Sequence, residues 1–183
     1  MTVYLIRHGA TLASEQHLYC GSTDLPLSEE GRTALRNRPR LSVGDVRFIT
    51  SPMRRCRETL ALLFGEVPCE AIPDFREIDF GAFEMHSYEQ LKDDPAYQIW
   101  LSADPEHTPP PGGESGEQMK RRVLKAFRMV LEANRDAVIV THGGVIAVIL
   151  ESLFPEEGKN RYQWQPKPGC GYIVTGNTYA AIP

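Results

Sequence analysis

Two histidines stand where an α/β protein would do its chemistry. His8 follows the apolar run Val3–Ile6, and His142 follows the apolar run Ala137–Thr141. Each is trailed by glycine, Gly9 in one case and Gly143-Gly144 in the other, which lets backbone amides approach an anion closely. In open α/β sheets ligands bind beyond the carboxyl ends of the strands, so both imidazoles are expected in one crevice. Arginine joins them. Arg7 precedes His8, and Arg54, Arg55 and Arg57 fall in the first turns of the helix expected after Ser51. A guanidinium fork takes two oxygens of a phosphoryl group at once. Two histidines, arginines and helix N-termini brought together make a pocket for a dianion.

The elements that must position these residues can be read from the patterning. Val3–Ile6, Val46–Thr50 and Ala137–Thr141 read as buried strands, with Cys69–Ile72 as a short fourth. A helix is expected from the Ser28 cap to about Arg38, stopped by Pro39. A second is expected with Ser51 as N-cap and Pro52 at its first position, ending at Gly65. Ser115–Asn134 reads as a long amphipathic helix with Met119, Val123, Phe127 and Val130 on one face, and Gly144–Leu153 as another helix. Short helices are expected at Ser87–Lys92 and Ala96–Leu101, and a hairpin around Gly176-Asn177. Strands alternating with helices predict an α/β fold, a three-layer sandwich with a mostly parallel central sheet. A single domain over 1–183 is expected, with a cap insertion at about 74–114.

With these elements in place, the motifs resemble those of the histidine phosphatase superfamily, the phosphoglycerate-mutase-like group. Leu5-Ile6-Arg7-His8-Gly9-Ala10-Thr11 resembles its RHG signature, and Ser51 to Thr59 its SPLxRAxxT segment. Arg76 to Gly81 resembles the segment supplying the acid, Pro111 to Ser115 the GGES loop, and Thr141 to Gly144 the second histidine motif. Tyr19-Cys20-Gly21 and Asp24 to Ser28 match the loop and helix start between the first motifs. The likeness runs from Val3 to about Val148 in the family's order. It implies His8 as nucleophile, Glu77 as acid, and Arg55 rather than Arg54 as the catalytic arginine beside Arg7 and His142. It further implies phosphate contacts from Arg7, Ser14, Cys20, Gly21, Arg55, His142 and Gly143.

The chemistry suits such a set. Neutral imidazole is the nucleophile, and the neighbouring arginines disfavour its protonated form. The same cations hold the phosphoryl oxygens as charge builds. A carboxyl group beside a bound phosphate keeps its proton more readily and can pass it to the leaving alkoxide. Asp79 and Glu84 compete with Glu77 for that role on sequence grounds. No metal site and no cofactor are expected. Ala10 stands where cofactor-dependent mutases carry an acidic residue, Ser14 where many members have asparagine, and Met85 where glycine is frequent; the long basic insertion of the mutases is missing. These departures favour a phosphomonoesterase, similar to α-ribazole phosphatases and broad-specificity sugar-phosphate phosphatases, over a mutase. A non-catalytic phospho-ligand binding module would be signalled by loss of His8, Arg7, Arg55 or His142, and all four are present.

Composition sets the outer bounds. Of 183 residues, 42% are apolar and 24% charged, the usage of an ordinary globular chain. The net charge of −4 disfavours a nucleic-acid partner. Cys20, Cys56, Cys69 and Cys170 form no paired spacing and read as reduced thiols. No apolar stretch suits a signal peptide or a membrane span, so a cytoplasmic protein acting on a small phosphate monoester is expected, with a homodimer as an admissible assembly.

Overall fold

The computed structural model describes residues 1–183 and is built on one six-stranded sheet. The strands are β1 (Thr2–Arg7), β2 (Arg47–Thr50), β3 (Cys69–Ala71), β4 (Ala137–Thr141), β5 (Gly171–Thr175) and β6 (Thr178–Ile182). Their spatial order is β3-β2-β4-β1-β5-β6. The first four run parallel, and β5 and β6 add an antiparallel edge. The helices are α1 (Leu12–Glu15), α2 (Glu29–Arg36), α3 (Arg54–Phe64), α4 (Tyr88–Leu91), α5 (Pro95–Ser102), α6 (Gly116–Glu132), α7 (Gly143–Leu153) and α8 (Arg161–Trp164).

Alternation along the strands creates the three layers. Val3 and Leu5 of β1, with Ala137 and Ile139 of β4, face α6 and α7, where they meet Met119, Val123, Phe127, Val145 and Ile149. Ile6, Val138 and Val140 point the other way, onto Cys56 and Leu60 of α3. Every residue of β4 is buried, as a central parallel strand with helices on both faces requires. Burying each of these aliphatic side chains contributes about 1.5–3 kcal/mol. Between β3 and α6 the chain leaves the sheet and packs on a cluster of its own, Phe83, Leu91 and Tyr97, joined by Tyr19, Phe80 and Trp100. No helix is long and apolar enough to cross a membrane.

Several boundaries differ from the sequence expectations. α3 begins at Arg54 with Met53 as N-cap, not at Pro52 with Ser51. The Ser51 hydroxyl is turned inward to the His142 ring, and its oxygen takes the Met53 amide at 3.4 Å, one residue ahead of the helix. α2 stops at Arg36, with Asn37 as its C-cap, before Pro39 could interrupt it. The β3 edge strand is shorter than the apolar signal, ending at Ala71, and it is exposed throughout. After α7 the chain forms a 3-10 turn (Pro155–Glu157) and α8, for which the sequence carried no usable pattern.

Candidate active site

Sheet register brings the two histidines together. In the parallel pairing of β1 with β4, Arg7 lies opposite Thr141, so the residues that follow, His8 and His142, leave the sheet side by side. The His8 amide donates to the Thr141 carbonyl at 2.9 Å, and the two rings stand 5.1 Å apart in an edge arrangement. On the other side of β4, Thr50 pairs with Val140, which delivers Ser51 to His142.

The protonation pattern of His8 follows from its partner. Nδ1 lies 2.7 Å from the Gly9 carbonyl oxygen, which can only accept, so Nδ1 carries the proton and Nε2 keeps a free lone pair. Burial, then Arg55 and Arg7, hold His8 well below its ordinary value of 6.5, against the bond to Gly9. His142 is wholly buried. Its Nε2 lies 2.8 Å from the Ser51 hydroxyl, and with that hydroxyl donating the ring proton falls on Nδ1. That Nδ1 is buried without a partner, and so is Nε of Arg7. Burial first, then Arg55, His8, Arg122 and Arg7, hold His142 neutral as well. The pocket thus has unpartnered nitrogens and two guanidinium groups beside a neutral imidazole.

The three arginines of α3 separate cleanly. Arg55 is 1% exposed and points inward, while Arg54 and Arg57 lie on the outside. Arg55 donates from Nη2 to the Gly21 carbonyl and from Nη1 to the Thr23 carbonyl, each at 2.8 Å. One turn on, the Thr59 hydroxyl accepts the amide of Gly9, tying α3 to the residue after His8. Arg7 is held by the Pro166 carbonyl at 2.8 Å.

Glu77 reaches this centre through α7. Its Oε2 accepts the Gly144 amide at 2.9 Å and its Oε1 accepts the Ile78 amide at 3.0 Å. Gly144 is required there, because a Cβ at this position would collide with Oε1 of Glu77. Gly143 is the first residue of α7, whose N-terminus has no side-chain cap. A cavity of about 190 Å³ opens beside Glu77, with Ser22, Arg76, Asp79 and Arg122 in its wall and no hydrophobic residue.

Of the two carboxylates that compete with Glu77 on sequence grounds, Glu84 has both oxygens taken by several donors. Glu84 accepts the amides of Gly21, Ser22, Thr23 and Phe80 and the Thr23 hydroxyl. Burial works against its charge, but these hydrogen bonds outweigh it and keep the carboxyl below its ordinary range. Asp79 accepts the Ser22 hydroxyl and the Gly81 amide. Ser14 sits in the capping box of α1, its hydroxyl donating to the Thr11 carbonyl and accepting the Thr11 amide, so it would have to leave that box to touch a phosphate. Cys20 is half-buried and turned to the Thr23 carbonyl, and Gly21 passes so close to the Ile78 carbonyl that a Cβ could not fit. Met85 adopts φ 62°, the left-handed region that glycine would take more easily.

A family model described as the histidine phosphatase superfamily (branch 1) matches residues 3–180. The chain belongs to that superfamily. Among curated relatives of this histidine phosphatase, the adenosylcobalamin/alpha-ribazole phosphatase of Salmonella typhimurium is 30% identical, with 93% of this chain and 88% of the relative covered. The alpha-ribazole phosphatase of Shigella flexneri has a similar structure, with a TM-score of 0.85 at 26% identity over 98% of this chain and 93% of that one. A phosphoglycerate mutase from Thermus thermophilus is also similar, with a TM-score of 0.73 at 34% identity, covering 95% and 92%.

Sequence reasoning missed three contributors to this histidine phosphatase site. Glu84 organises the loop that holds Arg55, but no spacing rule links a carboxylate to amides so far upstream. Arg122 lies on a face of α6 that reads as solvated charge. The segment after α8 supplies the Pro166 carbonyl to Arg7 and the Gly169 amide to the carbonyls of Arg7 and His8. Its prolines and glycine signal a loop but not a destination. In α8 itself Tyr162 is 83% exposed, whereas Trp164 is packed in the core.

Proposed function

We propose that this protein is a cytoplasmic phosphomonoesterase acting on a small phosphorylated metabolite, with α-ribazole phosphate first among the candidates. The observation that carries the reading is a neutral His8 with its Nε2 free, set beside two buried nitrogens without partners, Nε of Arg7 and Nδ1 of His142. Buried polar groups are normally satisfied, and a phosphoryl group would satisfy both. The names of the Salmonella typhimurium and Shigella flexneri relatives support the nucleotide choice.

In the first step the Nε2 lone pair of His8 attacks phosphorus, and the bond to the ester oxygen breaks. Arg7, Arg55 and His142 stabilise the equatorial oxygens. Glu77 gives its proton to the departing alkoxide, which leaves as an alcohol. Water then attacks the phosphohistidine while Glu77 takes one of its protons. Inorganic phosphate leaves and His8 is restored. A mutase reading is favoured by names alone, that of the Thermus thermophilus structure and those of relatives called probable phosphoglycerate mutase, as in Klebsiella pneumoniae. Ala10, in place of an acid, and the small cap speak against it.

The test is turnover of p-nitrophenyl phosphate in EDTA from about pH 5 to about pH 8, wild type against His8→Ala. Metal-independent turnover that falls by roughly 10³-fold or more in the variant is expected. Activity that survives in His8→Ala would remove His8 as nucleophile. Product formation that depends on a bisphosphorylated primer would return the mutase.

A further inference from the structure

Glu77 lies on irregular chain between two 3-10 turns, Pro73–Phe75 and Gly81–Phe83. No helix or strand fixes its backbone, yet a general acid must be held within hydrogen-bond reach of the oxygen it protonates. One side chain supplies the missing order. Arg122, in the second turn of α6, donates from Nη1 to the carbonyls of Asp74 and Arg76, both at 2.7 Å, and from Nη2 to the carbonyl of Glu77 at 3.0 Å. Its remaining donors meet Glu114, Nε to Oε1 at 2.8 Å and Nη2 to Oε2 at 2.6 Å. A guanidinium has five N–H groups, and all five are engaged. Both side chains are largely buried, at 15% and 18% exposure. Glu114 is anchored in turn, its amide donating to the Asp79 carbonyl on the far side of the acid segment.

We infer that Arg122, oriented by Glu114, is the positioning residue for Glu77 and sets where its carboxyl can deliver a proton. The inference rests on the reading of Glu77 as the acid. The link is one planar peptide unit. The oxygen of the Glu77–Ile78 peptide accepts from Arg122, and the N–H of the same peptide donates to Oε1 of the Glu77 carboxylate. Holding the oxygen therefore fixes the direction of the N–H, and with it one end of the carboxyl. The Gly144 amide fixes the other end. Every N–H of Arg122 is spent on a protein acceptor, so none is left for a phosphoryl group. Arg122 acts through the peptide plane, and lysine, with one ammonium in place of a fork, could not span the three carbonyls and the carboxylate.

The test uses two esters that differ in their need for a proton. Nitrophenolate leaves unaided, whereas the alkoxide of ribose 5-phosphate must be protonated as the P–O bond breaks. kcat/KM reports every step up to that cleavage. In Arg122→Met it is expected to fall about 10²-fold on ribose 5-phosphate and less than about threefold on p-nitrophenyl phosphate. Arg122→Lys should not restore the alkyl ester. Added to Glu77→Gln, the Arg122→Met change should cost less than about a further twofold, because the two residues act as a unit. Should Arg122→Met fail to fold, Glu114→Gln carries the same test, with an ester-selective loss of about tenfold. Equal losses on both esters, or a full extra loss in the Glu77→Gln background, would mean that the pair merely holds the fold, and the inference would be overturned. If Glu77→Gln alone slows both esters equally, the acid assignment itself falls, and this inference with it.

Discussion

At the residue scale, the reactivity of His8 is set by three neighbours. The Gly9 carbonyl selects the tautomer, and burial together with Arg55 and Arg7 removes the proton that would block Nε2. The sign of the pH effect follows. The competent form is neutral, and its pKa lies well below 6.5, so kcat/KM should stay level as pH falls through 6.5 and drop only at lower pH. Arg55→Met removes one of the groups that hold the pKa down. Its acid limb should therefore move up toward 6.5, beyond any contribution from the ester's own ionisation, which both proteins share. A pH–rate profile of the two proteins on the same ester checks this, and identical limbs would mean that Arg55 does not tune His8. That His8, His142 and Arg7 would meet at one end of the sheet was legible from the sequence, because strand ends, glycines and arginines are local signals. The roles of Ser51 and Glu84 were not, since each depends on a partner that only the folded chain brings near.

At the scale of elements, the loop from Gly21 to Thr23 is a polarised strip. Its amides and the Thr23 hydroxyl turn to Glu84, and the carbonyls of Gly21 and Thr23 turn to Arg55. The carboxylate at one face thus holds open the seat of the guanidinium at the other. Glu84→Ala leaves several loop donors without their acceptor, at about 1–3 kcal/mol for each buried group that water cannot reach. KM for a phosphate ester is expected to rise about tenfold or more, with a smaller change in kcat, together with a lower Tm. Steady-state kinetics and a thermal melt check this. An unchanged KM would show that Arg55 keeps its place without the loop. α3 itself was legible except at its start. The Ser-Pro signal for a cap is sound as local chemistry, but the Ser51 hydroxyl goes to His142 at 2.8 Å because the parallel register of β2 with β4 puts them together.

Across the whole molecule, the function depends on topology. The order β3-β2-β4-β1-β5-β6 places β4 and β1 at the centre, so the chain leaves the sheet there with His142 and His8 adjacent. The alternation of strands and helices was enough to expect a mostly parallel sheet with helices on both faces, and the continuous apolar run Ala137–Thr141 marked a central strand. Strand order was not legible, because it is decided by crossovers and not by any local pattern. The chain beyond α7 was opaque for a related reason: Pro166 and Gly169 serve Arg7 and His8 through backbone atoms, which leave no signature in side-chain chemistry. The parts converge on one claim, that a phosphoryl group rests covalently on Nε2 of His8 during turnover. Rapid quench of enzyme and excess substrate into alkali, followed by peptide mapping, tests it most directly. A phosphate is expected on the peptide carrying His8, stable to alkali and lost in acid, formed at the rate of alcohol release and missing from His8→Ala. An enzyme that turns over with no phosphate on His8 at any time, or that carries it on another residue, would contradict it.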